Sequence, residues 1–150
     1  MEKLCGVIKD FLISELGPYL AELTDSSTPL PAFTEKNCVV GAVDLDLYKT
    51  SQVCFITPDY QDSTELTIDN REERTTVQIL VCVRQNKKDV LFRQAMRYGG
   101  AIKKAIKNDY TIQNNFDQAT INRFEYFDQV EAFDGNVQAV VLELNIVNEF

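Results

Sequence analysis

The sequence contains no histidine. This absence removes the commonest general base, the usual partner of a serine or cysteine nucleophile, and the commonest zinc ligand. Two sets of carboxylates could replace it: Asp44 and Asp46 as metal ligands, and Glu65 and Asp69 with the pair at 72–73 as an acid and a base. We interpret the first set as the solvated side of an alternating strand. We also interpret the second set as solvated, since nothing nearby indicates the burial that would separate their pKa values. The sequence therefore predicts no enzyme, and no catalytic, cofactor-binding or metal-binding residue.

The sequence also lacks a Cys-x-x-Cys motif and any apolar run near the ~18–20 residues that a membrane helix needs. Its four cysteines are widely spaced among apolar neighbours, which predicts buried, reduced thiols rather than a disulfide or a metal site. Charged residues interrupt the first sixteen positions, where a signal peptide would need a continuous apolar core. We therefore expect a protein of the cytosol, or one assembled from the cytosol, without membrane association. The four thiols are Cys5, Cys38, Cys54 and Cys82.

Positive charge is scarce overall, and the net charge is −8 at pH 7. Neutralising phosphates needs a cationic surface, so the composition argues against a protein that wraps nucleic acid. The charge is unevenly distributed. Residues 84–107 hold eight basic residues and one acidic residue, a net charge of +7, while the remaining seven basic and twenty-two acidic residues give −15. A basic segment on an acidic body invites pairing with an acidic surface, either within the fold or on a neighbouring copy.

The most informative segment of the chain runs from Thr75 to Ile106. Its first part alternates apolar residues with other residues and predicts a strand with one buried face, formed by Val77, Ile79, Val81 and Val83. After a polar break at 86–88, apolar residues recur at helical spacing and predict a long amphipathic helix, on the positions Leu91, Ala95, Tyr98, Ile102, Ala105 and Ile106. A strand followed by a helix that folds back over it buries an apolar face on both elements.

The other regular elements lie on both sides of this segment. Apolar spacing predicts a helix over residues 3–16, and Gly17-Pro18 ends it before a short second helix. A Ser/Thr/Pro-rich connector follows at 24–37. Asp134-Gly135 predicts a tight turn between two terminal strands. Period-two patterns or short apolar runs predict four further strand regions, at 38–47, 51–57, 123–132 and 137–147.

Residues 58–74 form a polar segment between the second and third predicted strands. A polar segment of this length is either an extended hairpin or a loop, and such segments usually contact another surface. The order of elements predicts one α+β domain over residues 1–150. We expect a mostly antiparallel or mixed sheet flanked by helices on one face, with a long polar hairpin arm.

Gly99-Gly100 lies inside the predicted helix. It is not a phosphate-binding loop, because such a loop precedes its helix and is followed by Lys-Ser or Lys-Thr. Glycine costs about 1 kcal/mol relative to alanine within a helix. The pair therefore predicts close packing against the sheet, in preference to a local kink.

Four basic residues follow one face of the same helix at steps of three, four and seven, and we refer to them as the basic stripe: Arg93, Arg97, Lys104 and Lys107. A solvated face and a nucleic-acid site are alternatives, although sparse aromatic residues and the acidic remainder speak against the second. We favour a salt-bridged interface with another subunit, sensitive to salt. Its acidic partners would lie on the polar arm of a neighbouring copy: Glu65, Asp69, Glu72 and Glu73.

The order helix, strands, polar arm, strand, basic helix and terminal hairpin resembles the tail terminator and tail-completion (head–tail joining) proteins of long-tailed bacteriophages and of related tail machines. Four stretches carry the likeness: the arm at 58–74, the strand TTVQILVCVR, the helix motif RxxxRYGGAIKKAI and the final VVLELNIVNEF. Residues 1–50, with their broken helix and Pro-rich loop, depart from the pattern. The families share layout rather than an invariant motif, so no functional residue is carried over by position.

The resemblance implies a structural protein of the virion, assembled in the host cytoplasm. Such proteins form a homo-oligomeric ring, commonly a hexamer, that caps the finished tail tube and joins it to the head-side connector. An acidic lumen lets DNA pass without specific binding. The alternatives are a neck or adaptor protein of a phage or contractile injection system, and a small cytosolic enzyme or ligand-binding protein. The second would need a concave pocket with converging polar groups.

Overall fold

The computed structural model describes residues 1–45, 47–66, 69–128 and 136–149. Three helices and five strands follow one another in this part of the chain, which is an α+β fold. Their bounds are α1 Glu2–Glu15, α2 Gly17–Leu23, β1 Cys38–Val40, β2 Gln52–Glu65, β3 Arg71–Val83, α3 Lys88–Asn108, β4 Gln118–Phe127 and β5 Gln138–Glu149.

The strands form one mixed sheet in the order β1-β2-β3-β5-β4. β1 pairs with β2 in parallel, and the other three pairs are antiparallel. The long pairing of β3 with both β2 and β5 places it at the centre of the sheet. Its alternating pattern is confirmed, because the side chains at 77, 79, 81 and 83 are all fully buried.

The three helices cover one face of the sheet and share its main apolar core. α3 contributes the largest share, and the predicted positions from Leu91 to Ile106 are buried as the helical spacing requires. α1 adds Ile8, Phe11 and Leu12, and Leu16 joins them at the break before α2. Burial of such a side chain stabilises a fold by roughly 1.5–3 kcal/mol. The helix layer therefore places α1 and α3 against the same sheet face, with α2 packed on α3.

The predicted strand over residues 38–47 is wrong beyond Val40. Gly41 adopts φ +132°, a conformation that favours glycine, and its N–H still donates to the carbonyl of Ile56 before the chain leaves the sheet. Of the three alternating apolar residues that follow, only Leu45 is buried, whereas Val43 and Leu47 are 40% and 72% exposed. The alternation arises in a loop that crosses to the other face of the sheet.

This loop covers part of the sheet face opposite the helices. Leu45 packs there with Val53, Phe55 and Cys82, and the Tyr48 ring contacts the Phe55 ring edge-on at 5.7 Å. The Arg84 side chain holds the loop by donating to the carbonyls of Leu45, Tyr48 and Thr50. The second face thus has its own small apolar cluster.

Residues 58–74 continue the pairing of β2 with β3 as far as Glu65 and Arg71. β5 accompanies β3 down to the pair Glu72–Glu149, so this region extends the sheet rather than leaving it. Thr67 and Ile68 lie outside the described residues. The predicted long polar hairpin arm is therefore not confirmed.

The last two strands are antiparallel neighbours, but β4 begins at Gln118, five residues earlier than predicted. The polar sequence around Asn122 hid this start, because the strand contains a bulge between Ile121 and Arg123. The predicted Asp134-Gly135 turn lies outside the described residues.

Gly99 allows α3 to lie close to the sheet. A Cβ at this position would lie 2.5 Å from Cζ of Phe124 and 3.2 Å from Cγ2 of Val140. A Cβ at Gly100 would have nothing within 4 Å. Packing, rather than a kink, therefore explains the first glycine of the pair.

Gly99→Ala is expected to lower the free energy of unfolding by about 1–3 kcal/mol, because the added methyl group overpacks the contact between α3 and β4. Gly100→Ala is the matched control, and its better helix propensity should raise stability by up to about 1 kcal/mol. Urea denaturation followed by circular dichroism measures both. Equal effects of the two substitutions would contradict the packing role of Gly99.

Candidate assembly interface

The basic stripe on α3 lies beside α2 and the loop that follows it. The Arg97 guanidinium donates to the Asp25 carboxylate at 3.0 Å and to the Leu23 carbonyl at 2.9 Å. The Lys104 ammonium lies 2.9 Å from the Glu22 carboxylate. For these two residues of the stripe, an acidic partner lies in the same chain.

Arg93 makes two contacts as well, one to the Thr28 hydroxyl at 2.9 Å and one to Asp89 at 3.5 Å, four residues earlier on α3. Lys107, the last residue of the stripe, forms no ion pair with any residue in the described ranges. Exposed ion pairs of this kind each contribute about 0–1 kcal/mol. The predicted contact of the stripe with a neighbouring copy stays a prediction. Lys107 is the residue of the stripe that has no ion pair with another described residue.

The loop between α2 and β1 is docked onto α3 by further hydrogen bonds that the sequence did not indicate. The Gln94 amide donates to the Pro29 carbonyl at 2.7 Å, and the Tyr98 hydroxyl donates to the Pro31 carbonyl at 2.6 Å. Hydrogen bonds from Ser27, Arg97 and Thr28 lower the pKa of the Asp25 carboxyl to about 2. The loop is therefore part of the body of the protein.

A groove of about 400 Å³ lies between the second half of α3 and the first half of β4. Lys103, Ile106, Lys107 and Tyr110 line one wall, and residues 118–121 line the other. Within residues 1–45, 47–66, 69–128 and 136–149, Lys103 forms no ion pair either. The groove thus combines an apolar floor with two ammonium groups, and none of its lining residues is a carboxylate. We refer to it as the basic groove.

Sequence reasoning found only one of the two lysines of the basic groove. It placed Lys104 with Lys107, three residues apart, whereas the groove contains Lys103, four residues before Lys107. Both spacings keep two residues on one helix face. The buried residues Ile102 and Ile106 directly precede Lys103 and Lys107 in the sequence. Only the position of β4 decides which pair of lysines lines the groove.

The edge of the sheet that lies farthest from β4 contains an acidic segment of β2. β1 pairs with β2 only as far as Ile56, and in the described part of the chain no strand pairs with that side of β2 beyond it. Residues 59–65 contain Asp59, Asp62 and Glu65 and no basic residue, and all seven are exposed. Tyr60, the second residue of the segment, is 54% exposed. We refer to residues 59–65 of β2 as the acidic edge.

The acidic edge and the basic groove lie at the same level on the two sides of the sheet. Tyr60 is opposite Thr76, Thr76 is opposite Asn145, and Asn145 is opposite Thr120, so these four residues form one row across the strands. Asp62 lies in the row that ends at Gln118. Thr120 and Gln118 both line the basic groove. A second copy placed beside the sheet, without a large shift along the strands, therefore brings its acidic edge next to the basic groove of the first copy.

The four acidic residues predicted at the interface occupy different positions around the end of the hairpin. Glu65 ends the acidic edge, and Asp69 lies exposed in the turn. Glu72 is half-buried and pairs with Arg74 two residues on, while Glu73 is half-buried on β3. Within the described part of the chain, none of the four pairs with the basic stripe.

The remaining candidate groups are accounted for separately. All four cysteines are buried free thiols, as predicted, and burial raises the pKa of the Cys82 thiol to about 12. Asp44 is exposed in the loop before Leu45, and Asp46 lies outside the described residues. In the described ranges, no three Cys, Asp or Glu side chains are close enough to hold a metal ion. The described helices include none that is both long and apolar enough to cross a membrane.

No protein-family model matches the chain, and no curated protein is significantly similar to it.

Proposed function

We propose that the protein is a ring-forming structural subunit that caps the end of a phage or phage-like tail tube and joins it to the head-side connector. The single observation that carries this proposal is the unlike character of the two sides of the sheet. One side presents the acidic edge, and the other presents the basic groove at the same level.

Two unlike surfaces on opposite sides of a subunit favour head-to-tail association. Such heterologous contacts generate a closed ring when the rotation between copies closes, and a filament when it does not. Two acidic edges would repel each other, and so would two basic grooves, which disfavours a two-fold dimer through either surface. Charge on an open strand edge also prevents uncontrolled pairing. The surfaces therefore favour head-to-tail assembly over a two-fold dimer, and a ring is the closed form of such an assembly.

The tail-capping role is supported by the element order. After residue 50 the chain has a long β2–β3 hairpin, a basic helix that follows the central strand, and a terminal strand pair. This order resembles that of tail terminator proteins. The net charge of −8 suits a ring through which DNA passes without specific binding. The mechanism is geometric: subunit contacts close the ring, and the ring stops further growth of the tube.

The proposal is tested by the mass of the protein in solution and its binding to tail tubes. We expect light scattering to give a discrete ring-sized mass that falls to the monomer as salt is raised, because the unlike surfaces are charged and screened. Tail tubes made from the tube protein of the same genome should acquire the protein at one end, visible by negative-stain electron microscopy.

Binding to the head-side connector but not to the tube would assign the protein to the neck or adaptor class. A monomer at all concentrations that also fails to bind tubes would contradict the proposed function. A ring that persists in 1 M salt would contradict the electrostatic part of the argument, since exposed charges are screened within about 3 Å at that ionic strength.

A further inference from the structure

We infer that the basic groove of one copy receives the acidic edge of the next copy, so that residues 59–65 of β2 lie between α3 and β4 of the neighbour. This inference deepens the proposed function and rests on it. It identifies the partner of the groove as a second copy of this chain, and it names the surface of that copy that enters.

Charge is the first argument. Lys103 and Lys107 line the groove, and neither forms an ion pair with the described residues of its own chain. The acidic edge supplies three carboxylates without a basic residue among them, at Asp59, Asp62 and Glu65. Bringing these groups together pairs charges that otherwise face only water, and the attraction also steers the approach of the two copies.

Apolar surface is the second argument. Tyr110, in the groove wall, is 58% exposed, and Ile121 opposite it is half-buried. On the incoming side, Tyr60 is 54% exposed and Leu66, just beyond the acidic edge, is 47% exposed. Interface cores are enriched in aromatic residues of this kind and are surrounded by a polar rim. Each surface therefore carries apolar groups beside its charges.

The backbone hydrogen bonding at the start of β4 determines what kind of contact a second copy can make in the groove. The N–H of Ala119 donates to the carbonyl of Tyr110 at 2.6 Å, so this part of the β4 edge is already occupied by the turn after α3. An incoming strand at this level cannot use that N–H to extend the sheet. Recognition in the groove therefore depends on side chains, and this makes it testable by changing charges on the two surfaces separately.

Two double variants reverse one surface each. Lys103→Glu/Lys107→Glu makes the groove acidic, and Asp62→Lys/Glu65→Lys makes the edge basic. Under conditions in which the unmodified protein assembles, each variant alone should be monomeric. Its association constant should be lowered at least 100-fold, because like charges then meet at every contact. All four residues are exposed, so thermal unfolding of both variants should remain close to that of the unmodified chain.

The decisive experiment is a one-to-one mixture of the two variants. The first variant keeps an acidic edge that fits the basic groove of the second, and the second has a basic edge that fits the acidic groove of the first. The mixture should therefore regain ring-sized mass, with the two variants alternating, as measured by light scattering and native mass spectrometry. The control variant Lys49→Glu/Lys87→Glu makes the same change in charge at the other end of the sheet and should assemble normally.

The outcomes separate this inference from the proposed function. If the unmodified protein assembles, alone or on tail tubes, and the single-surface variants assemble equally well, the groove contact is wrong and the proposed function stands. If both variants are monomeric and their mixture stays monomeric, the charges act elsewhere and the contact is also wrong. If the unmodified protein assembles under neither condition, the proposed function and the inference both fail.

Discussion

Tyr98→Ala is expected to lower the free energy of unfolding by about 3–5 kcal/mol, the range observed when a large aromatic side chain is removed from a core. Tyr98 is fully buried on α3, and its ring lies against Phe33 with 5.1 Å between centroids. Domains of this size are stable by only about 5–15 kcal/mol, so the variant should lose much of its stability. The chain has no tryptophan, and far-UV circular dichroism in urea is the suitable measurement.

The control for this prediction is Tyr98→Phe, which keeps the ring and removes the hydroxyl. The hydroxyl donates to the Pro31 carbonyl at 2.6 Å, and its burial raises the pKa of Tyr98 well above the usual value. Loss of one such hydrogen bond costs about 1 kcal/mol. A loss from Tyr98→Phe as large as that from Tyr98→Ala would show that the hydrogen bond, not the ring, holds the Pro-rich loop on α3.

Arg84→Met is expected to lower the free energy of unfolding by about 2–3 kcal/mol, because hydrogen bonds from a charged group are worth more than neutral ones. The guanidinium donates to the Thr50 carbonyl at 3.0 Å and to the carbonyls of Leu45 and Tyr48. Methionine keeps much of the apolar stem but supplies no donor. The segment that contains Leu45 and residues 47–50 should therefore open more often, exposing the cluster beneath it.

The opening of this loop can be measured at Cys82, which is 1% exposed and packs in the same cluster. In Arg84→Met, labelling of Cys82 by a thiol reagent should be roughly tenfold faster or more, because local opening limits the reaction. Cys5, in the other core, should label more slowly than Cys82, because a wider opening is needed to expose it. Arg84→Lys should lie between the two proteins, since one ammonium cannot replace a planar guanidinium with three carbonyl partners. Equal labelling of Cys5 and Cys82 would indicate global rather than local opening.

The sequence by itself determined the elements whose pattern is local. Apolar residues at helical spacing predicted α1 and α3 to within two residues at most ends, and alternation predicted β3 and β5. Gly99 was also understood from sequence, because a glycine inside a long helix needs a packing reason. These predictions hold because each depends on the periodicity of one segment and on the burial of one face.

Local patterns failed where a contact elsewhere decided the outcome. The alternation after Val40 predicted a longer strand, but the loop crosses the sheet because Leu45 packs on the opposite face and Arg84 binds its carbonyls. β1 joins β2 in parallel, which no local signal indicated. The start of β4 was missed for a similar reason, since a bulge interrupts its alternation.

The same distinction between local pattern and long-range packing applies to the candidate interface. The sequence determined that a basic helix and an acidic segment exist, and it identified Lys107 and Glu65 as members of them. Only the tertiary structure decided which charges are left without a partner in the described part of the chain. Arg97 and Lys104 meet acids 72 and 82 residues earlier, through the packing of α2 on α3. Lys103 and Lys107 face a groove that exists because β4 lies beside α3, and such long-range packing has no period that a sequence can display.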